Sequence, residues 1–188
     1  RLMLLLGGIV LLCVAGLLLL GRYALLWLAL PFGLLLAAYL QAARSRQSTR
    51  TLQMELVGAA GLALMAPAAM LAAIGTSYPT VWLVWGLMAA QNVLGVFYVR
   101  QRIADTHGRP FNRQPLLWSH VLGFVVVAGT AVAGLIPWLA VVPFAGFLLR
   151  AIWTAQQARP IGNIKKFGFL EVGVELVSGA LIALGYLA

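Results

Sequence analysis

Acidic side chains are almost missing: the 188 residues hold four Asp and Glu against 13 Lys and Arg, and charged residues make up only 9% of the chain. With so little polar surface, a chain that is 63% hydrophobic cannot coat a water-soluble globule. Cysteine is reduced to Cys13, inside an apolar run, which excludes a disulfide framework and a thiolate metal cluster. The two histidines, His107 and His120, do not pair as a haem site requires. A Gly-rich phosphate loop, a nucleophile elbow and a His-Glu-x-x-His motif are all absent, so the familiar soluble chemistries have no foothold. Fixed-period repeats and low-complexity segments are missing too, and the chain reads as a single transmembrane helical domain, 1–188.

What is present is apolar length. Seven stretches approach the roughly twenty residues that a bilayer span needs: 2–20, 23–41, 54–74, 80–99, 116–135, 138–156 and 168–187. The expected fold is all-α, a polytopic transmembrane helix bundle. Long basic breaks alternate with short neutral ones. The polar stretches Arg44 to Thr51, Arg100 to Pro115 and Arg159 to Lys166 carry Arg44, Arg46, Arg50, Arg100, Arg102, Arg109, Arg113, Arg159, Lys165 and Lys166. The breaks on the other side carry only Arg22. By the positive-inside rule the N-terminus and the long breaks are cytosolic and the C-terminus external. The net charge of +9 is therefore assigned to anionic headgroups or an anionic ligand, with the lipid bilayer and not nucleic acid as partner. Trp27, Trp82, Trp118, Trp138 and Trp153 fall towards span ends, where amphipathic rings prefer the headgroup level. Small residues such as Gly58, Gly61, Ala63, Ala68 and Ala69 allow close helix approach.

All four acids lie at the ends of spans on the basic side. Glu171 and Glu175 share a helix face about one turn apart, just past Lys165 and Lys166. Two outcomes are open: Glu171 pairs with a loop base, or the two line an inward-facing polar site. Glu55 reads as a helix N-terminal carboxylate that complements the dipole. Gln91, Tyr98 and Arg102 fall on roughly one face, with Asn92 beside Gln91; the pair is either interhelical glue or the floor of a pocket. The segment Asp105-Thr106-His107-Gly108-Arg109-Pro110-Phe111-Asn112-Arg113 is rich in guanidinium groups, which bind phosphate bidentately or set topology against anionic lipid. An anionic headgroup would then meet Arg100, Arg102, Arg109 and Arg113, above a cavity lined by Gln91, Asn92, Tyr98, Asp105, His120, Glu171 and Glu175. His120 is either a hydrogen-bonded structural group or a proton relay. No metal site is expected.

Arg44 to Glu55 running into an apolar span, Phe97-Tyr98-Val99-Arg100-Gln101-Arg102-Ile103, and Gly168-Phe169-Leu170-Glu171 after a lysine pair together resemble the YwiC-like family of bacterial membrane proteins from about Tyr23 onwards. Members usually carry an upstream Glu-His-Gly segment, which this sequence lacks; with Arg1 in place of an initiator methionine, the expectation is a chain missing upstream helices. At the level of fold, the spans are similar to those of UbiA-type prenyltransferases, whose prenyl-diphosphate site opens at the cytosolic loops. That similarity implies a phosphorylated isoprenoid lipid as ligand, and Mg2+ only if the transfer reaction is retained. It places the Arg100 to Arg113 segment at the second magnesium-binding motif, where this sequence keeps only Asp105. Three functions stay open: an enzyme or degenerate enzyme of UbiA type, a small-solute permease, and a structural or assembly subunit.

Overall fold

The computed structural model describes residues 2–44 and 51–188, and among these the regular structure is all helical, with no strand. Arg46 and Arg50 of the first basic break lie outside the described residues. Eight α-helices follow in order: α1 (Leu2–Leu19), α2 (Ala29–Arg44), α3 (Leu52–Leu62), α4 (Met65–Ile74), α5 (Pro79–Thr106), α6 (Gln114–Val132), α7 (Val141–Gln156) and α8 (Ile164–Gly185). Short 3-10 turns, Tyr23–Leu28 and Trp138–Ala140, lead into α2 and α7.

Among the described residues, six helical stretches are long and apolar enough to cross a membrane: Tyr23–Ala42, Leu52–Ile74, Pro79–Thr106, Gln114–Val132, Trp138–Gln156 and Ile164–Gly185. The apolar helix Gly7–Leu19 is shorter. Their outward faces are hydrophobic, with Leu122 64%, Leu149 68% and Leu176 69% exposed. A soluble monomer does not present contiguous apolar surface of that extent. The chain is a multi-pass membrane protein.

Helix ends follow local chemistry. Thr51 accepts from the Met54 N–H at 3.4 Å to cap α3, with Glu55 in the first turn, and Asn163 accepts from the Lys166 N–H at 3.0 Å to cap α8. Gly75, at φ 81°, ends α4, and Gly108, at φ 61°, follows α5; a side chain is strained in that region of backbone space. The span Leu52–Ile74 is broken into α3 and α4 at Ala63 and Leu64. Pro67 explains the break, because it has no N–H to offer the Ala63 carbonyl one turn back. The basic stretch after residue 99 differs from the sequence expectation: α5 continues as helix through Arg100, Arg102 and Asp105 to Thr106. Hydropathy marks where apolar residues stop, whereas a helix runs on while its charged side chains find partners.

The chain divides into two compact units, Arg1–Trp85 and Gly86–Ala188, so the boundary falls inside α5 where composition does not change. In the first unit Leu28, Leu64, Leu71 and Val81 form a core, against which Ala68, Trp82 and Trp85 pack. Trp85 Nε1 donates to the Ala60 carbonyl at 3.3 Å and Trp82 Nε1 to Ser77 Oγ at 3.1 Å. Trp82 therefore belongs to the packing of this unit, unlike Trp27, Trp118, Trp138 and Trp153, which are all more than half exposed. Gly58 lies under the Tyr39 hydroxyl and Gly61 under Leu35, as close helix approach requires.

In the second unit α6 and α7 pack on each other, Gly123 admits Leu94 of α5, and Tyr98, Leu116 and Ala151 form a core with Phe97, Val99 and Phe167 around it. This unit contains the residues singled out for function beyond position 86.

Candidate functional site

Two polar layers occupy one end of the second unit. The outer layer ties together the C-terminal end of α5, the start of α6, the end of α7 and the following loop. Asp105 is its centre, with a side chain only 4% exposed. Its Oδ1 accepts from Arg113 Nη2 at 3.2 Å and its Oδ2 from the Arg159 N–H at 3.0 Å. Arg113 Nη1 donates to the carbonyls of Thr154 at 3.2 Å and Ala155 at 2.8 Å, which are among the acceptors that the end of α7 leaves open. Thr106 Oγ1 accepts from the Ile161 N–H at 2.8 Å, and Gln101 Nε2 donates to the Thr154 carbonyl at 2.9 Å. Arg159 in turn lies 3.7 Å over the Trp153 ring.

The inner layer is built around Arg150. In the sequence Arg150 is a lone cation inside an apolar span, and it was not among the expected site residues. At a rise of about 1.5 Å per residue it sits roughly 9 Å inside the Gln156 end of α7. Its Nη1 donates to Glu171 Oε2 of α8 at 2.8 Å, with side-chain exposures of 18% and 14%. Its guanidinium carbon lies 3.8 Å from the centre of the Tyr98 ring and 5.4 Å from that of Phe147, a cation–π arrangement. The Tyr98 hydroxyl accepts from Arg102 Nη1 at 2.8 Å, and Arg102 also sits 5.1 Å over the Phe167 ring and donates from Nε to the Arg159 carbonyl. One aromatic ring thus separates and joins two arginines.

Deeper along the same helices, Gln91 Nε2 donates to the Glu175 main-chain carbonyl at 3.1 Å, tying α5 to α8, while Gln91 Oε1 is buried without a hydrogen-bond partner. The Glu175 carboxylate lies beside Gly95, where an added Cβ would come within 3.1 Å of Oε1. His120 is fully buried on α6, and its Nδ1 is 2.8 Å from the Leu116 carbonyl. A carbonyl only accepts, so Nδ1 carries the proton and Nε2 is left as an acceptor with no partner.

The expected site residues therefore separate. Tyr98, Arg102 and Glu171 gather around Arg150. Asp105 and Arg113 build the outer layer, and Gln91 and Glu175 meet one level deeper. Asn92 and Arg100 are half-buried and neither is without a partner. Arg109 is exposed. Of the four arginines expected at one headgroup, Arg102 and Arg113 are turned to carbonyls, Tyr98 and Asp105 of the chain itself. Glu171 pairs with an intramembrane arginine and not with a loop base. Both Asp105 oxygens already accept hydrogen bonds, and among the described residues no three His, Cys, Asp or Glu side chains gather to hold a metal ion. The donor set does not fit a magnesium-diphosphate centre.

Between α7 and α8 runs an open groove with a cavity volume of about 640 Å³. Its walls are Val142, Pro143, Phe147, Leu170, Val174 and Leu181, with Arg150 and Ser178 the polar side chains that reach it. Gly146 and Gly173 on its two sides have nothing within 4 Å of an added Cβ, so the groove is open where those glycines face it. No family model, curated protein or solved structure matches the chain.

Proposed function

We propose that this is a YwiC-like protein of the bacterial cytoplasmic membrane that binds an amphiphile with an anionic head and a long apolar tail. The tail lies in the α7–α8 groove and the head meets Arg150. The single observation that carries this reading is a guanidinium inside a span at the edge of a mainly apolar groove of about 640 Å³. A volume of that order suits a ligand of drug-like size, and an arginine at that depth is costly unless it serves a partner or a ligand. In this reading α1 is a seventh span, the N-terminus and the basic breaks are cytosolic, and the Arg150 end of the groove opens towards the cytosolic headgroups. A phosphorylated isoprenoid is the ligand that the likeness to UbiA-type prenyltransferases favours. The likeness would be one of lipid binding only, since the residues do not fit metal-assisted loss of diphosphate.

Thermal melting of the detergent-purified chain with farnesyl phosphate and with farnesol tests this. Stabilisation by the phosphate alone, lost in Arg150→Gln, supports the reading; equal shifts with both, or none, overturn it. A permease is the second reading. It is favoured by the polar groups that continue past Arg150 and Glu171 to Glu175 and Gln91. Solute uptake into proteoliposomes that is abolished by Glu175→Gln would put it first.

A further inference from the structure

Arg150 and Glu171 meet through one bond. Arg150 Nη1 reaches Glu171 Oε2 at 2.8 Å, while Arg150 Nε and Glu171 Oε1 are both buried with no hydrogen-bond partner. Guanidinium and carboxylate commonly pair side by side through two bonds. Here an unused donor and an unused acceptor remain on the two partners, and Arg150 also lines the groove. Beside this pair, within the second unit, stand Tyr98 and, bonded to it, Arg102 from α5; Glu175 is a turn further along α8, and His120 is buried on α6. Arg102 is turned to Tyr98 and the Arg159 carbonyl. Arg150 is the cation bonded to Glu171, and Glu175 lies one turn further along the same helix.

We propose that an anionic headgroup entering the α7–α8 groove replaces Glu171 as the counter-ion of Arg150, and that the Glu171–Glu175 pair takes up one proton as it does so. The proposal rests on the amphiphile reading above and adds its ionic mechanism. The headgroup brings one negative charge to Arg150. Glu171 loses its cation, and a carboxylate in an apolar site without a partner is neutralised rather than left charged. The proton comes from water and forms an O–H bond on a carboxylate oxygen; no other bond is made or broken. The charge of the site is the same before and after, so the ligand enters the membrane interior without carrying net charge with it.

The test uses the full chain in a neutral detergent, weakly buffered, with a pH-indicator dye. The probe is lysophosphatidylglycerol, a phosphodiester whose single charge is constant through neutral pH, so any proton taken up belongs to the protein. About one proton should be absorbed per lipid bound, and Kd should weaken by up to about tenfold per pH unit over the carboxylate titration. Glu171→Gln combined with Glu175→Gln should bind without proton uptake and lose the pH dependence, while His120→Asn should keep both. Binding of the wild type with no proton uptake and a constant Kd from about pH 6 to about pH 8 overturns the exchange and leaves the amphiphile reading standing. Binding no tighter than that of zwitterionic lysophosphatidylcholine overturns the amphiphile reading and the exchange with it. If glycerophosphoglycerol, the headgroup without a chain, competes and is absorbed with the same proton, the exchange stands and the anion is a free polar one.

Discussion

Replacing Asp105 by alanine should loosen the outer layer of the second unit. The carboxylate is 4% exposed and accepts from Arg113 Nη2 at 3.2 Å and from the Arg159 N–H at 3.0 Å. Removing one member of a buried ion pair costs about 3–5 kcal/mol, because the other charge is left uncompensated. Arg113 is 26% exposed and keeps the Thr154 and Ala155 carbonyls, so its share falls to about 1–2 kcal/mol. The Arg159 N–H, left without an acceptor, adds about 1–2 kcal/mol. The expected loss is about 3 kcal/mol, which for a chain of this size lowers Tm by roughly 6–12 °C. Asp105→Asn keeps an acceptor oxygen and should lose about half as much. The assay is a melt in detergent followed by tryptophan fluorescence, since Trp153 lies 3.7 Å from the Arg159 guanidinium and reports on the same layer. A double-mutant cycle with Arg113→Ala should return a coupling of at least about 0.5 kcal/mol. A Tm for Asp105→Ala within about 1 °C of wild type would refute the reasoning.

Gln101→Leu should behave differently: it removes the bond to Thr154 together with the unpartnered buried Oε1, and stability should change by less than about 1 kcal/mol in the same melt. Gly185→Ala should destabilise by about 1–3 kcal/mol, because the new Cβ meets Pro137 Cγ at 2.9 Å and Leu139 Cβ at 3.2 Å, neither at the end of a flexible chain. Orientation is accessible through the lone native thiol: in a Cys13→Ala background, a membrane-impermeant maleimide added outside intact cells should label Ser77→Cys and leave Arg109→Cys untouched. The reverse pattern would invert the proposed topology.

Six of the seven expected apolar spans and the place of Glu55 in the first turn of α3 are legible in the sequence, because each depends on residues within a turn or two of one another. Local hydropathy and local hydrogen bonding suffice for them. The shared face of Gln91, Tyr98 and Arg102 already implied helix past residue 99, but hydropathy alone ended the span there, short of Thr106. The chemistry at that end of the chain depends on groups far apart in sequence. Arg150 could have been found by asking why a guanidinium sits in an apolar span, but averaging over the span conceals it. That Glu171 meets Arg150 and not Lys165 or Lys166, that Tyr98 lies between two arginines, and that Asp105 holds Arg113 and the Arg159 backbone are decided by helix rotation and packing in the second unit. Composition determined that the chain lives among lipids, since burying apolar surface is additive along a sequence. Tertiary structure alone decided which charges meet, since an ion pair needs two side chains within a few ångströms and pairing in a low-dielectric interior tolerates no near miss.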